Sequence, residues 1–190
     1  MLKTGKISWT EKITYTALLI AMQVVLGNLI QIPLVDKQFN LGFLPIAVAG
    51  AFFGIPSAMA VGALGDFFGA HLFPQGAYFL GFTITNALVG LIYGILLYQK
   101  KVSWLRILLA CFLVSLCNLF LNSYWLTYFI SKAYWVIWGG RLLTYLIDLP
   151  LAFVSIYAVL QSTTKAMRHI FPLDGKDDSA KTQKVTDGEA

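Results

Sequence analysis

The sequence predicts an all-α membrane protein, a bundle of six transmembrane helices, and three observations carry that expectation. Of its 190 residues, 58% are hydrophobic and 12% charged, where soluble domains carry about 25% charge. Mean hydropathy is +0.72. The apolar length from Ile13 to Leu160 is broken by short polar and Pro/Gly clusters into roughly six stretches, and a bilayer core asks for about 20 apolar residues per helix. No soluble catalytic domain fits in what remains.

Helix 1 is expected from Thr10 to Ile32, because Pro33 stops it and Asp36, Lys37, Gln38 and Asn40 supply a polar loop. Helix 2 is short, Phe43 to Phe53, bounded by Gly54 and Pro56, which open a third segment ending near Leu72 before Phe73-Pro74-Gln75-Gly76. Segments 2 and 3 fall short of a full straight span and should lean on each other or tilt. Helix 4 runs from Tyr78 to Tyr98 and is stopped by Gln99, Lys100 and Lys101; helix 5 covers Leu105 to Ile130; helix 6 extends from about Trp138 into Gln161 to Lys165. Residues 1–9 read as a cytoplasmic N-terminal segment, 10–168 as the six-helix membrane domain, and 169–190 as a polar, disordered cytoplasmic tail rich in Asp, Lys, Ser, Thr and Gly.

Charge sets the expected orientation. Under six passes, Lys3, Lys6, Lys12, Lys100, Lys101, Arg106, Lys165 and Arg168 fall on one side, against Lys37 and Lys132 on the other. The positive-inside rule then places both termini in the cytoplasm. The segments around Asp36, Pro74 and Lys132 come together outside, where an external mouth could capture a solute. The net charge of +5 forms no continuous basic face, which argues against a nucleic-acid partner. Lys3, Lys6 and Lys12 precede helix 1 as they would a signal peptide, but the apolar run is too long and no small-residue cleavage site follows, so it is expected to stay in the protein.

Nothing in the sequence resembles a catalytic set. His71 and His169 lie far apart, Cys111 and Cys117 share one apolar segment without a metal pattern, and no G-x-x-x-x-G-K-[ST] is present. Neither catalysis nor a bound cofactor or metal is expected of this chain, and ATP-driven transport would need an ATPase from another subunit. Small residues recur at packing spacing, in Ala17-x-x-x-Ala21, Gly50-x-x-x-Gly54, Ala58-x-x-x-Gly62, Gly65-x-x-x-Gly69 and Gly90-x-x-x-Gly94. Each serves either helix packing within the bundle or a partner surface.

Polar groups inside apolar segments are more informative, since a charge at a helix centre costs about 2.5–3.5 kcal/mol unless it finds a partner or a wet cavity. Asp66, Arg141 and Asp148 are the charged ones. Arg141, Tyr145 and Asp148 stand at i, i+4 and i+7 on one helix face, so Arg141 either pairs with Asp148 or offers its guanidinium to a ligand carboxylate. Asn118, Asn122 and Trp125 repeat that spacing on helix 5 and read as a pocket wall; interhelical amide bonds and a membrane-interface position for Trp125 are the alternatives. Thr83 and Asn86 on helix 4 form a weaker version. Aromatics crowd the predicted outer end around Trp125, Tyr134 and Trp138, as a membrane belt or as stacking surfaces for a flat ligand.

The ordered series Asn40-Leu41-Gly42-Phe43-Leu44-Pro45, Phe53-Gly54-Ile55-Pro56, Val61 to Asp66, Leu72 to Tyr78, Gly81-Phe82-Thr83, Gly90 to Gly94 and Asn118 to Trp125 resembles the folate-family S components of energy-coupling factor (ECF) transporters. The resemblance spans roughly residues 13 to 165. It implies a six-helix subunit in a bacterial cell membrane that binds a vitamin outside and delivers it by toppling against a shared module, one transmembrane coupling subunit and two ATPases that use ATP and Mg. It further implies that Ala17 and Ala21 form the helix 1 contact with the coupling subunit. The stretch Phe39 to Phe43 would gate the pocket, and Asn86, Asn118, Asn122, Trp125 and Arg141 would line it.

One departure bears on the cargo. The folate-binding pattern carries an arginine near the end of helix 1, where this chain reads Gly27-Asn28-Leu29. Folate is a dianion, and Arg141 is the one arginine inside the predicted spans, Arg106 standing at the cytoplasmic end of helix 5, so pantothenate, pyridoxine or hydroxymethylpyrimidine would ask less of the site. Folate remains the first expectation. A stand-alone secondary transporter or channel is the alternative class; it would show inverted repeats or paired broken helices, and no convincing repeat relates the two halves.

Overall fold

A computed structural model of the chain describes residues 8–29, 31–33, 38–74, 78–100, 103–127 and 134–170. Within them six helical rods form one bundle: α1 (Trp9–Asn28), α2 (Phe43–Phe53), α3 (Ile55–Leu72), α4 (Leu80–Leu97), α5 (Trp104–Leu126) and α6 (Tyr134–Ile170). Three of the segments, Leu80–Leu97, Trp104–Leu126 and Thr144–Thr164, are long and apolar enough to cross a membrane, and Phe43–Phe53 is a shorter apolar helix. The proposed tail beyond residue 170, the first seven residues, and the loop positions around Asp36, Gln75 and Lys132 lie outside the described residues.

Helix α1 starts one residue earlier than its pattern suggests, because Ser8 and Glu11 close a capping box: Glu11 N donates to Ser8 Oγ at 3.2 Å and Ser8 N to Glu11 Oε2 at 2.8 Å. Two of the orphan donors at the helix start are thereby satisfied. It also ends earlier, at Asn28 rather than Ile32. The residues expected to continue it form a short strand β1 (Gln31–Pro33) that pairs antiparallel with β2 (Gln38–Asn40), in the register Gln31 with Asn40 and Pro33 with Gln38. Gln38 and Asn40, expected in a polar loop, thus lie in a paired strand, and residues 34–37 between the two strands lie outside the described residues. The end of β2 is tied down as Asn40 Oδ1 accepts from Gly42 N at 3.1 Å, just ahead of α2.

Helix α2 has the expected bounds. Apart from half-buried Phe43 and Val48, every one of its residues is buried, and it packs against α1, α3, α4 and α6. A short helix that is apolar all round belongs inside the bundle. Gly54, at φ +88°, makes the corner to α3, a conformation that a Cβ would strain. Pro56 then falls in the first turn of α3, where its missing N–H costs nothing.

Helices α3 and α4 approach most closely at Gly62 and Gly90. A Cβ on Gly62 would run into the carbonyl of Asn86, and one on Gly90 into that of Ala58. Gly50 likewise sits against the backbone of Tyr93 and Gly94. The glycines of these motifs thus serve packing within the bundle, where dispersion replaces the missing hydrophobic drive between lipid-soluble helices. Ala17 and Ala21 instead lie on an exposed face of α1, beside exposed Leu18, Met22 and Val25.

Helix α5 carries an irregularity with no signal in the sequence. Its α-helical turns to Cys117 give way to a π turn over Asn118–Asn122 before regular winding resumes at Ser123–Leu126. Helix α6 is far longer than its pattern indicates, 37 residues with Pro150 inside it, or about 55 Å at 1.5 Å per residue. Around the bundle many large apolar side chains are exposed, among them Leu80, Ile84, Leu109, Phe112, Leu146 and Val154. That outside-in distribution is the one expected for a chain solvated by lipid.

Candidate functional site

The polar residues of the bundle gather around one cavity of about 630 Å³, inside the range of about 300–1,000 Å³ typical of small-molecule sites. Every rod contributes from the same end. Gln23, Gly27 and Asn28 come from the close of α1, Gly42 and Phe43 from the start of α2, and Asp66, Ala70 and Phe73 from the end of α3 and its cap. Tyr78, Phe79, Phe82 and Asn86 come from the entry to α4, Ser115, Asn118 and Asn122 from the second half of α5, and Arg141, Tyr145, Asp148 and Ala152 from α6. Toward the helix centres the wall turns apolar at Ile46, Val89, Tyr93, Cys111 and Val114, all of them buried.

All three charged residues noted within apolar segments line this cavity, which removes the cost that burial in lipid would impose on them singly. Asp66 is held from α4: Thr83 Oγ1 donates to its Oδ2 at 2.6 Å and Asn86 Nδ2 to its Oδ1 at 2.8 Å. Tyr78 OH lies 2.9 Å from Thr83 Oγ1 and extends the network to the chain ahead of α4. Arg141 Nη1 is buried without a hydrogen-bond partner, so the i, i+7 relation to Asp148 does not consume that atom. On α6 the spacing does put Arg141, Tyr145, Asp148 and Ala152 on the cavity side.

The two amides of α5 are linked. Asn118 Nδ2 donates to Val114 O at 3.0 Å, Asn122 Nδ2 donates to Asn118 Oδ1 at 3.0 Å, and Asn122 Oδ1 is buried without a partner. Such π turns recur at functional sites, and this one brings both amides to the cavity.

Trp125, expected beside them from α-helical spacing, is not among the residues lining the cavity. The i→i+5 turn slackens the winding between Asn118 and Asn122 and swings Trp125 toward α4. There its Nε1 donates to Thr85 Oγ1 at 3.1 Å, and its ring meets Phe79 at 5.5 Å between centroids. Gly81 leaves the room for that contact, since a Cβ there would clash with both Phe79 and Trp125. Trp125 thus supports the wall residue Phe79 from behind.

Of the other expected site residues, Phe43, Asn86, Asn118, Asn122 and Arg141 line the cavity. Phe39 is placed by its backbone in β2, while its side chain lies outside the described residues. The sequence reading omitted the α1 contribution. Gln23 and Asn28 are seated by Gly65 and Gly69, whose missing side chains leave notches for the two amides. The pattern Gly65-x-x-x-Gly69 facing polar residues in an otherwise apolar helix was the available signal. Among the described residues no group of His, Cys, Asp and Glu could hold a metal ion.

An apolar shell around a cavity furnished with charges, amides and rings defines a membrane protein that binds a small polar solute. Comparison with protein families agrees: residues 11–160 match the model for the ECF transporter, substrate-specific component. The chain belongs to that family of membrane transport subunits. It is 38% identical over 144 residues to a folate transporter FolT of Clostridium novyi (strain NT), covering 75% of this chain and 84% of that protein. A folate transporter FolT of Leuconostoc mesenteroides is 33% identical over 119 residues, covering 62% of this chain and 64% of that protein. Among solved structures, the crystal structure of FolT bound with folic acid aligns with a TM-score of 0.73 at 31% identity, covering 79% of this chain and 92% of that one.

Proposed function

We propose that this chain is the folate-capturing subunit of an ATP-driven ECF importer. The observation that carries the reading is the cavity itself, in which a guanidinium with its Nη1 buried, paired amides and aromatic rings meet in a chain whose family is the substrate-specific component. Folate has a flat hydrogen-bonding pterin at one end and carboxylates at the other. Aromatic walls at Phe43, Phe73, Phe79 and Phe82 suit the ring, and Arg141 Nη1 suits a carboxylate. Similarity to two folate transporters and to a folic-acid-bound structure supports the choice.

In this reading residues 10–168 form a six-span membrane domain with both termini in the cytoplasm, and the cavity end faces outward. The positive-inside distribution of Lys and Arg supports that orientation. Phe39 and Phe43 gate the pocket; Asn86, Asn118, Asn122 and Arg141 contact the vitamin, with Trp125 behind them. The exposed Ala17 and Ala21 meet the coupling subunit, against which the loaded protein topples in a bacterial cell membrane. ATP and Mg are used by the two partner ATPases, and this chain binds neither.

One observation favours a second cargo. Among the described residues lining the cavity Arg141 is the sole Lys or Arg, beside Asp66 and Asp148, so these residues offer a dianion little charge compensation. Pantothenate, pyridoxine or hydroxymethylpyrimidine would need less.

Thermal unfolding of the purified chain with each of these vitamins separates the readings. A ligand at 100 times its Kd adds about 2.7 kcal/mol, so folate should raise Tm clearly and the others little. A shift with a smaller vitamin alone would transfer the cargo. No shift with any of them would defeat the binding-subunit reading.

A further inference from the structure

The direction of the amide relay in α5 determines which atoms the cavity offers. Val114 O is a backbone carbonyl and can only accept, so the group of Asn118 facing it at 3.0 Å is the amino group, Nδ2. Asn118 therefore turns its Oδ1 toward Asn122, and Asn122 must answer with its own Nδ2, at 3.0 Å. The atom left over is Asn122 Oδ1, an acceptor, buried and without a partner. The usual ambiguity between the two ends of an amide is thus removed by a chain of bonds that begins on the main chain.

The same logic applies on two other walls of the cavity. Asn86 spends its Nδ2 on Asp66 at 2.8 Å, and Asn28 spends its Nδ2 on Val24 O at 2.9 Å. Asn28, Asn86 and Asn122 all line the cavity, and each is anchored to the protein through its amino end, whereas Asn40 on the same cavity is anchored through its Oδ1, which accepts from Gly42 N. Buried acceptors are costly unless something donates to them.

We infer that Asn122 acts as a hydrogen-bond acceptor that selects for a ligand ring edge bearing N–H donors, and that Asn118 positions Asn122 for this task. An amino-substituted nitrogen heterocycle, such as the 2-amino, N3–H edge of a pterin, fits that requirement. Pantothenate has no such ring, and pyridoxine has no amino group on its ring. The inference rests on the folate reading and adds to it the end of the molecule that Asn122 recognises.

The test compares binding of folic acid and of an analogue whose 2-amino group is replaced by methyl, by titration calorimetry on the intact chain in detergent, for wild type and Asn122→Leu. Wild type should bind the analogue at least about tenfold more weakly, the scale of leaving one buried acceptor unmatched. In Asn122→Leu the gap between the two ligands should narrow to about threefold or less. Equal affinity of wild type for both ligands would overturn the inference while leaving folate capture intact. An undiminished gap in Asn122→Leu would remove Asn122 from the role. No binding of folic acid at all would sink the functional reading and this one with it. The wild-type comparison stands even if the variant fails to fold.

Discussion

Replacing Arg141 with methionine separates a residue kept for its ligand from one kept for the fold. Nη1 is buried with no hydrogen-bond partner within the chain, an arrangement that costs about 1–3 kcal/mol for a neutral group and more for a charged one unless a ligand answers it. Methionine has similar reach and no such demand, so Arg141→Met should raise the stability of the empty protein by about 1 kcal/mol, or about 2–4 °C in Tm for a chain of this size. Ligand binding should move the other way. A hydrogen bond to a charged partner contributes about 1.5–3 kcal/mol, so folate affinity should fall roughly 10- to 150-fold at 1.4 kcal/mol per tenfold. Differential scanning fluorimetry of the empty protein and calorimetric titration with folate measure the two arms. Loss of stability together with unchanged affinity would refute the reasoning, because it would show the guanidinium to be satisfied within the bundle.

Three further outcomes follow from the same contacts. Gly90→Ala should lower Tm by an amount equivalent to about 1–3 kcal/mol, the usual cost of overpacking, because its methyl would meet the main chain at Ala58 and Met59; unchanged unfolding in detergent would show that α3 and α4 are less tightly apposed. Trp125→Phe removes the bond to Thr85 and should cost about 1 kcal/mol of stability, with folate affinity changed less than about threefold; a larger loss in a binding assay would return Trp125 to the pocket wall. Ala21→Trp, on the exposed face of α1, should leave folate binding by the isolated chain intact and abolish uptake in cells expressing the whole transporter. Normal uptake would remove that face from the partner contact.

How far the sequence reaches depends on whether a feature is local. The bounds of α2 are legible because Gly54 and Pro56 punctuate a run that is apolar on every side. The end of α1 is not, since Leu29 and Ile32 continue its apolar character and only pairing with Gln38–Asn40 draws the chain into a strand. Periodicity correctly aligned Arg141, Tyr145 and Asp148, whose helix winds regularly. The contacts of Trp125 with Thr85 and Phe79 lie beyond its reach, because the π turn at Asn118–Asn122 alters the winding without a residue-level signature.

The charged residues illustrate the same divide. Asp66, Arg141 and Asp148 stand out within apolar segments, yet their meeting in one cavity is a property of how α3 and α6 both pack on α2. The hydrogen bonds from Thr83 and Asn86 to Asp66 span 17 and 20 residues, beyond any helical repeat. Family resemblance bridged part of that gap by supplying the order of motifs. It did not supply the α1 amides, which depend on the notches at Gly65 and Gly69.

The central claim is that this chain alone captures folate. Isothermal titration of folic acid into the purified chain in lipid nanodiscs, with no ATPase or coupling subunit present, tests it most directly. The account predicts saturable binding at one folate per chain with a negative heat-capacity change from the rings buried in the cavity. Absence of saturable heat, in protein that remains folded, would contradict it.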